Sequence, residues 1–181
     1  MNIWKDFNPA RIKPNDFVAC IEIPKGSKNK YELDKESGFL ILDRILFTST
    51  HYPANYGFVP LTYADDKDPM DVLVLSSEEI APLSLVRVYP IGVLAMKDDG
   101  FFDYKVVAIP FGDPTWSHFR ELEELPKHIF NEISHFFNVY KTLEYKETVV
   151  MEVMGRQRAE EVVEEAIHMF REKFWRGEFN D

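Results

Sequence analysis

Short apolar or alternating runs, separated by turn residues, follow one another from Asp16 to about residue 110. Turn residues fall between them at Pro24-Lys25-Gly26, Ser37-Gly38, Asp65–Pro69 and Asp98-Asp99-Gly100. Runs of this length with such boundaries predict strands. We expect six of them in this region, at Phe17–Ile23, Tyr31–Leu33, Phe39–Leu46, Asp71–Leu75, Ser84–Met96 and Phe102–Ile109. Many short strands without intervening helical periods indicate an antiparallel barrel or sandwich.

The pattern changes to a helical period towards the C-terminus. Pro126 suits a first helical turn, and apolar side chains then recur at helical spacing at Ile129, Ile133, Phe136, Phe137 and Tyr140. A further strand is predicted at Lys146–Met154, and a second helix at Arg158–Trp175 with Gly177 as its stop signal. The fold class we expect is therefore mainly β with peripheral helices (α+β), in which two main α-helices pack outside a barrel-like core.

Composition indicates a globular protein with an acidic balance. The 181 residues suit a single domain, 1–181, and 45% hydrophobic with 14% aromatic residues suffice for a packed core. A net charge of −10 argues against nucleic acid as a partner, because nonspecific binding needs a basic surface. The single cysteine, Cys20, lies in an apolar run and fits a buried position in a reducing compartment. The sequence contains neither a signal-peptide core nor a run of membrane-spanning length, so we expect a cytoplasmic protein with no membrane partner.

Three carboxylates fall within six residues, at Asp66, Asp68 and Asp71, directly before the apolar run Val72-Leu73-Val74-Leu75. Because like charges this close repel, one of them would stay protonated unless a cation lay between them. Oxygen ligands in a tight group suit magnesium, manganese or calcium, although a solvated Asp-rich turn would have the same sequence. An EF-hand is excluded, because a loop starting at Asp66 would need Gly at its sixth position and Glu at its twelfth, which are Asp71 and Ser77.

The rest of the chain supplies residues that could complete such a site, although most of them, taken singly, are typical of a solvated surface. Arg44 is the least ordinary, because it lies inside an apolar run where an unpaired charge would be costly, and we expect it to reach an anion or a carboxylate. One set consists of carboxylates for divalent metals: Glu32, Asp66, Asp71, Asp98 and Asp103. The other consists of cations and phenols for phosphate oxygens: Lys30, Arg44, Tyr56, Lys105, Tyr140 and Lys141. Metal ions bridged to phosphate, with fixed cations around it, are typical of active sites that transfer a phosphoryl group to water.

In order and spacing, these residues resemble the soluble family I inorganic pyrophosphatases of the short bacterial and archaeal type. The resemblance extends from about Asp16 to the C-terminal helix. It rests on Glu22-Ile23-Pro24, Lys30-Tyr31-Glu32, Asp43-Arg44, Tyr52-Pro53-Ala54-Asn55-Tyr56-Gly57, Asp66-Lys67-Asp68-Pro69-Met70-Asp71-Val72, Asp98…Asp103-Tyr104-Lys105 and His135-Phe136-Phe137…Tyr140-Lys141. One departure is Lys67, where the family pattern has Gly, Asn, Ser or Asp; we expect its side chain to point outward.

The resemblance implies an OB-like five-stranded antiparallel barrel that hydrolyses pyrophosphate to two phosphates with several Mg²⁺ ions per active site, for which Mn²⁺ or other divalent ions could substitute. It implies that Glu32, Asp66, Asp71, Asp98 and Asp103 bind the metals, and that Asp68 is the general base, with Glu22 in the supporting water network. It further implies that substrate is bound by Lys30, Arg44, Tyr56, Lys105, Tyr140 and Lys141. Short members of the family are usually homohexamers, and the helix from Pro126 to Tyr140 could supply a subunit contact or serve equally well as core.

Two other functions fit parts of this pattern. An OB-type barrel could be an oligonucleotide-binding module, but the net charge and the five carboxylates do not favour it. A metal-dependent phosphatase acting on larger phosphate esters would need aromatic or apolar room for an organic group, whereas the phosphate-binding set here is almost wholly charged or phenolic. An assay that compares phosphate release from pyrophosphate, nucleotides and a sugar phosphate distinguishes these activities.

Overall fold

Five strands form a closed ring in this computed structural model, which describes residues 2–175. They are β2 (Asp16–Ile23), β5 (Asn55–Phe58), β6 (Asp71–Val74), β7 (Leu85–Asp98) and β8 (Phe101–Pro110). The sheet runs β2-β5-β6-β8-β7, and a further pairing of β2 with β7 closes it. The pairing of β6 with β8 is parallel, and the other four pairings in the ring are antiparallel. This ring with peripheral helices confirms the predicted fold class, and its one parallel pair is the departure from an all-antiparallel barrel.

Four further strands extend or flank the ring. The short β1 (Ile12–Lys13) pairs with β2, and β9 (Thr148–Gly155) pairs with the C-terminal part of β7. A separate two-stranded sheet is formed by β3 (Asn29–Leu33) and β4 (Leu40–Ile45), joined by the turn at residues 34–39. This hairpin is the upper wall of the cavity described below.

Two helices cover the ring and divide its apolar side chains into two clusters. Helix α1 (Lys127–Val139) begins after Pro126 and buries Phe130, Ile133, Phe136 and Phe137 against residues of β6, β7 and β8. Helix α2 (Arg156–Phe174) follows β9 directly and buries Ala159, Val162, Val163, Ala166, Ile167 and Phe170 against residues of β2 and β7. Both helices were predicted from their apolar spacing, and the predicted stop at Gly177 lies outside the described residues. Among residues 2–175, no helix combines the length and apolar composition that crossing a membrane requires.

Strand β5 is the one ring strand that the apolar pattern did not predict. Tyr52-Pro53-Ala54-Asn55-Tyr56 has the composition of a turn, but pairing begins at Asn55. The Asn55 side chain is fully buried, and its Oδ1 accepts hydrogen bonds from the backbone N–H groups of Lys25 (3.0 Å) and Ile80 (2.8 Å). A residue that usually marks a turn therefore joins two loops to the start of a strand here.

Candidate active site

A cavity of about 280 Å³ opens between the β3–β4 hairpin, the loop before β6 and the end of the ring nearest α1. Twelve of the thirteen predicted site residues line it: Glu22, Lys30, Glu32, Tyr56, Asp66, Asp68, Asp71, Asp98, Asp103, Lys105, Tyr140 and Lys141. They come from β2, β3, β5, β6, β7 and β8, from the loop before β6, and from the residues that end α1. Residues separated by more than a hundred positions are thus gathered around one space.

Lys105 lies at the centre of this constellation and is buried, with 3% of its surface exposed. The parallel pairing of β6 with β8 sets Asp71 opposite Lys105. The Lys105 ammonium lies 2.7 Å from Asp71 Oδ2 and 3.0 Å from Asp103 Oδ2, and it donates to the Tyr56 hydroxyl at 2.9 Å. Burial alone lowers the pKa of Lys105, but Asp103 and Asp71 outweigh it and raise that pKa well above its ordinary value, so this lysine is a fixed cation.

The loop before β6, which we call the acid loop (residues 64–71), folds back on itself. The backbone N–H of Ala64 donates to the Asp68 carbonyl at 2.9 Å, and the Asp68 N–H donates to Asp66 Oδ1 at 3.1 Å. Lys67 lies between the two acids with a φ of 72°, in the left-handed region that Gly, Asn and Asp tolerate best, and it is exposed, as predicted. The turn gathers the acids by backbone geometry, which is why small or turn-forming residues suit position 67.

Crowding in the cavity shifts the titration of its acids. Burial, with Asp71, Asp103 and Asp68 nearby, raises the pKa of Asp66 to about 6. Burial also raises the pKa of Asp103, with contributions from Asp71 and Asp98 and opposition from Lys105. Glu22 is affected most strongly: burial, with smaller contributions from Asp71 and Glu32, raises its pKa to about 8, although its Oε1 accepts a hydrogen bond from the Leu33 N–H at 2.8 Å. These three carboxyls therefore keep their protons to higher pH than they would in water, mainly because they are buried and in smaller part because the acids repel one another.

Lysines also pair with the acids at the cavity margin. Lys30 contacts Glu32 and lies 3.3 Å from Asp43, while Lys141 contacts Asp98. Lys30, Glu32, Lys141 and Asp98 all line the cavity, whereas Asp43 lies behind Lys30 and does not. Cations and anions are thus interleaved, so the cavity suits a ligand that brings both phosphate oxygens and metal ions.

Arg44 is the predicted site residue that does not line the cavity. It lies on β4 opposite Lys30, where its Nη1 is 2.5 Å from Asp43 Oδ2 and its Nε is 2.8 Å from Glu144 Oε1. It thus reaches carboxylates, as the cost of an unpaired charge predicted. Its Nη2 is buried and has no hydrogen-bond partner among residues 2–175. Asp43 connects it to Lys30, so Arg44 is one ion pair removed from the cavity wall.

The chemistry of the donor set fits divalent metal ions, but the acids do not form a finished cluster. No group of three or more His, Cys, Asp or Glu within residues 2–175 is arranged to hold a metal. The lysines that contact Asp71, Asp98 and Asp103 take up carboxylate oxygens a metal would use. All five predicted ligands are nevertheless hard oxygen donors lining one cavity. Burial is the main cause of the raised pKa of Asp66, and repulsion from Asp71, Asp103 and Asp68, which a cation would relieve, adds to it.

Lys35 and Trp4 are among the residues of the cavity wall that were not predicted from sequence. Lys35 lies in the β3–β4 turn and contacts Asp68, and Trp4 precedes the first strand. Neither belongs to a motif in the sequence. Lys35-Glu36-Ser37 has an ordinary turn composition, and Trp4 reaches the cavity only because the N-terminal segment folds across it.

Comparison with known proteins shows the family of this chain. A family model described as inorganic pyrophosphatase matches residues 19–171. The chain belongs to the inorganic pyrophosphatase family. It is 46% identical to soluble inorganic pyrophosphatase 2 of Chlamydomonas reinhardtii, with 94% of this chain and 89% of that protein covered. It is also 46% identical to the inorganic pyrophosphatase of Aquifex pyrophilus, with 93% and 97% covered.

The structures of inorganic pyrophosphatases extend the match to the fold. The Thermus thermophilus enzyme superposes with a TM-score of 0.90 at 36% identity, covering 94% of this chain and 99% of that one. Hydrolysis of pyrophosphate to phosphate is the function of the inorganic pyrophosphatase family, and this chain is accordingly a hydrolase of pyrophosphate. The family also implies a divalent metal cofactor. The resemblance found in the sequence is thus confirmed.

Proposed function

We propose that the hydrolysis depends on Mg²⁺, with several ions per active site held by Glu32, Asp66, Asp71, Asp98 and Asp103, and with Mn²⁺ or other divalent ions as substitutes. The observation that carries this proposal is the convergence of these five carboxylates on one cavity together with Lys30, Lys105 and Lys141. Bound ions supply charge neutralisation of the phosphates and a lower pKa for water.

The cationic and phenolic side chains of the cavity bind the two phosphoryl groups of the substrate. Lys105 presents a charge held in place by Asp71 and Asp103, and the Tyr56 hydroxyl lies beside it. Lys30, Tyr140 and Lys141 line the same cavity and offer further donors, while Arg44 approaches through the shared partner Asp43. Because pyrophosphate is highly charged and resists an anionic nucleophile, fixed donors of this kind orient it and hold the charge that develops on the leaving oxygen.

Asp68 acts as the general base. A water oxygen forms a bond to one phosphorus, the bond from that phosphorus to the bridging oxygen breaks, and a proton of the water passes to Asp68, so two orthophosphates leave. The Asp68 carboxylate faces the cavity and is about half exposed, and it lies in the same tight turn as Asp66. Glu22 lines the same cavity and belongs to the water network that supports the base. Burial raises its pKa to about 8 in the metal-free protein.

A phosphate-release assay tests this function directly. We expect release from pyrophosphate with Mg²⁺, none with excess EDTA, and little from nucleotides or a sugar phosphate. Substituting Asp68→Asn should lower turnover by at least ~10²-fold, the lower end of the usual range for a general base, and leave Mg²⁺ binding by calorimetry largely intact. Asp65→Asn is the matched control, since Asp65 is exposed in the same loop but does not line the cavity. Normal turnover in Asp68→Asn would remove it from this role.

The setting of the enzyme is a proposal as well: a cytoplasmic homohexamer. A reducing compartment suits the single, buried cysteine. Large apolar side chains exposed on the chain support a subunit contact, among them Phe39, Phe47, Phe101 and Tyr145. Light scattering after gel filtration should give six times the chain mass of 21.2 kDa; a monomer mass would contradict the assembly.

A further inference from the structure

Lys35 reaches the proposed base from the opposite wall of the cavity. Its ammonium contacts Asp68, and the two side chains are 43% and 53% exposed, so the pair lies at the cavity mouth and not in the interior. An exposed ion pair of this kind contributes little to folding stability. Stability therefore does not explain why the Lys35 ammonium lies at the cavity mouth. A phosphate would enter at this point, which suggests a role in binding.

The backbone that carries Lys35 is held firmly. Asp34 accepts hydrogen bonds from the N–H groups of Glu36 (3.2 Å) and Ser37 (3.3 Å), which fixes the turn. The Lys35 carbonyl accepts a hydrogen bond from Asn2 Nδ2 at 3.0 Å, so the N-terminal segment is fastened to the same turn. The base of the side chain is therefore fixed while its ammonium keeps access to the cavity.

Trp4 forms the surface along which the Lys35 side chain runs. The ammonium lies 5.2 Å from the centre of the indole ring, within the range of a cation–π contact. The ring itself is 4% exposed, and its Nε1 donates to the Thr62 carbonyl at 2.8 Å. Thr62 Oγ1 in turn accepts from the Met70 N–H at 2.9 Å, so Trp4 is joined through Thr62, which precedes the acid loop, to Met70 near the end of that loop. One indole thus aligns Lys35 with the loop that carries Asp68.

We propose that Lys35 is a further substrate-binding residue, which exchanges its contact with Asp68 for a phosphate oxygen of pyrophosphate, and that Trp4 is its positioning residue. This inference rests on the proposed role of Asp68. A polyanion at the cavity mouth attracts the ammonium more strongly than one carboxylate does. The exchange leaves the Asp68 oxygen free to accept the proton of the attacking water. Pyrophosphate thereby releases the base that acts on it.

Steady-state kinetics of Lys35→Met and Lys35→Arg test the exchange. For Lys35→Met we expect KM for pyrophosphate to rise about 10-fold or more, the effect of losing one hydrogen bond to a charged group, with kcat within about 3-fold, since Asp68 is already free. Lys35→Arg should recover most of the loss in KM. Lys5→Met is the matched control, because Lys5 lies 4.9 Å from the same indole ring but does not line the cavity, and its KM should not change.

Binding measured without turnover gives a second readout. In a Trp116→Phe, Trp175→Phe background, Trp4 is the only indole left of the three. Titration with methylenediphosphonate, a pyrophosphate analogue that is not hydrolysed, should change its emission as the ammonium leaves the ring, and Lys35→Met should abolish that change. Trp4→Leu should raise KM when it is introduced into the wild-type chain. It should raise KM little further when it is introduced into Lys35→Met, because both substitutions act through the Lys35 ammonium.

The outcomes separate this inference from the proposed function. An unchanged KM in Lys35→Met, or a fall in kcat alone, would overturn the exchange while leaving Asp68 as the base. Full turnover in Asp68→Asn would instead contradict the proposed function, whatever Lys35 does. If Trp4→Leu does not fold, the KM values of the two Lys35 variants still test the exchange, and far-ultraviolet circular dichroism checks that those variants are folded.

Discussion

Glu22 shows how a single residue can favour chemistry at the expense of stability. Its carboxyl lines the cavity, where burial raises its pKa to about 8, although its Oε1 accepts a hydrogen bond from the Leu33 N–H. In the unfolded chain this group titrates near its ordinary value of 4.5. Folding therefore favours the protonated form of Glu22. As pH rises above 4.5 the carboxyl ionises in the unfolded chain first, and this lowers the free energy of unfolding.

We expect Glu22→Gln to stabilise the metal-free protein at high pH. The penalty on wild type is absent below about pH 4.5, grows as pH rises and is complete above about pH 8, whereas glutamine keeps the acceptor for Leu33 and does not ionise. The difference in Tm between variant and wild type, measured in EDTA, should thus be larger at pH 8.5 than at pH 5. A difference independent of pH would show that ionisation of Glu22 does not limit stability.

At the scale of elements, the approach of β5 to β2 positions Tyr56, which we propose to bind phosphate. Gly57 pairs with Ile21, and a Cβ atom at Gly57 would lie 1.9 Å from the Cys20 carbonyl oxygen. No side chain fits there, so the backbones meet closely. This close approach holds the neighbouring Tyr56 against Lys105.

Substituting Gly57→Ala should therefore separate β5 from β2. The obstructing atoms belong to backbone, which cannot move aside as a side chain can, so we expect a loss of about 3 kcal/mol or more in the free energy of unfolding, at the upper end for overpacking. Urea denaturation measures this loss. Gly112→Ala is the control, because no atom lies within 4 Å of its added Cβ. Equal stabilities of the two variants would argue against the close approach.

The elements that sequence could predict are those whose pattern is local. Helices α1 and α2 and most strands were found because their apolar residues repeat at a helical or strand period. β5 was missed because its signals, Pro53 and Asn55, are those of a turn. The parallel partnership of β6 with β8 depends on which strands meet after folding, which no local period encodes. Lys35 and Trp4 reach the site through tertiary contacts alone, so no spacing in the sequence could reveal them.

At the scale of the whole molecule, metal binding should be linked to global stability. The proposed ligands come from β3, the acid loop, β6, β7 and β8, so they are brought together only in the folded chain. A metal that binds this set stabilises the fold over the unfolded chain.

We expect Mg²⁺ at 100 times its dissociation constant to stabilise the protein by about 2.7 kcal/mol and to raise Tm by roughly 5–10 °C. Differential scanning fluorimetry across a Mg²⁺ series measures the rise. The Mg²⁺-induced rise in Tm should be smaller in the double variant Asp66→Asn/Asp71→Asn and unchanged in the control Asp65→Asn. A Tm that does not respond to Mg²⁺ would contradict the proposed metal site.

Closure of the ring by β2 and β7 also determines the order in which this protein can form. Phe17 pairs with Val88, so β2 has no partner on that edge until some seventy further residues have been synthesised. Pairings of such long sequence separation make folding slow, because the chain must lose loop entropy before the contact forms. Until then the nascent chain exposes an apolar strand edge, which is the form most prone to aggregate. The ring that collects the proposed site residues can thus close only after β7 and β8, which end at Asp98 and Pro110, have been synthesised, and chaperones can act on the open form until then.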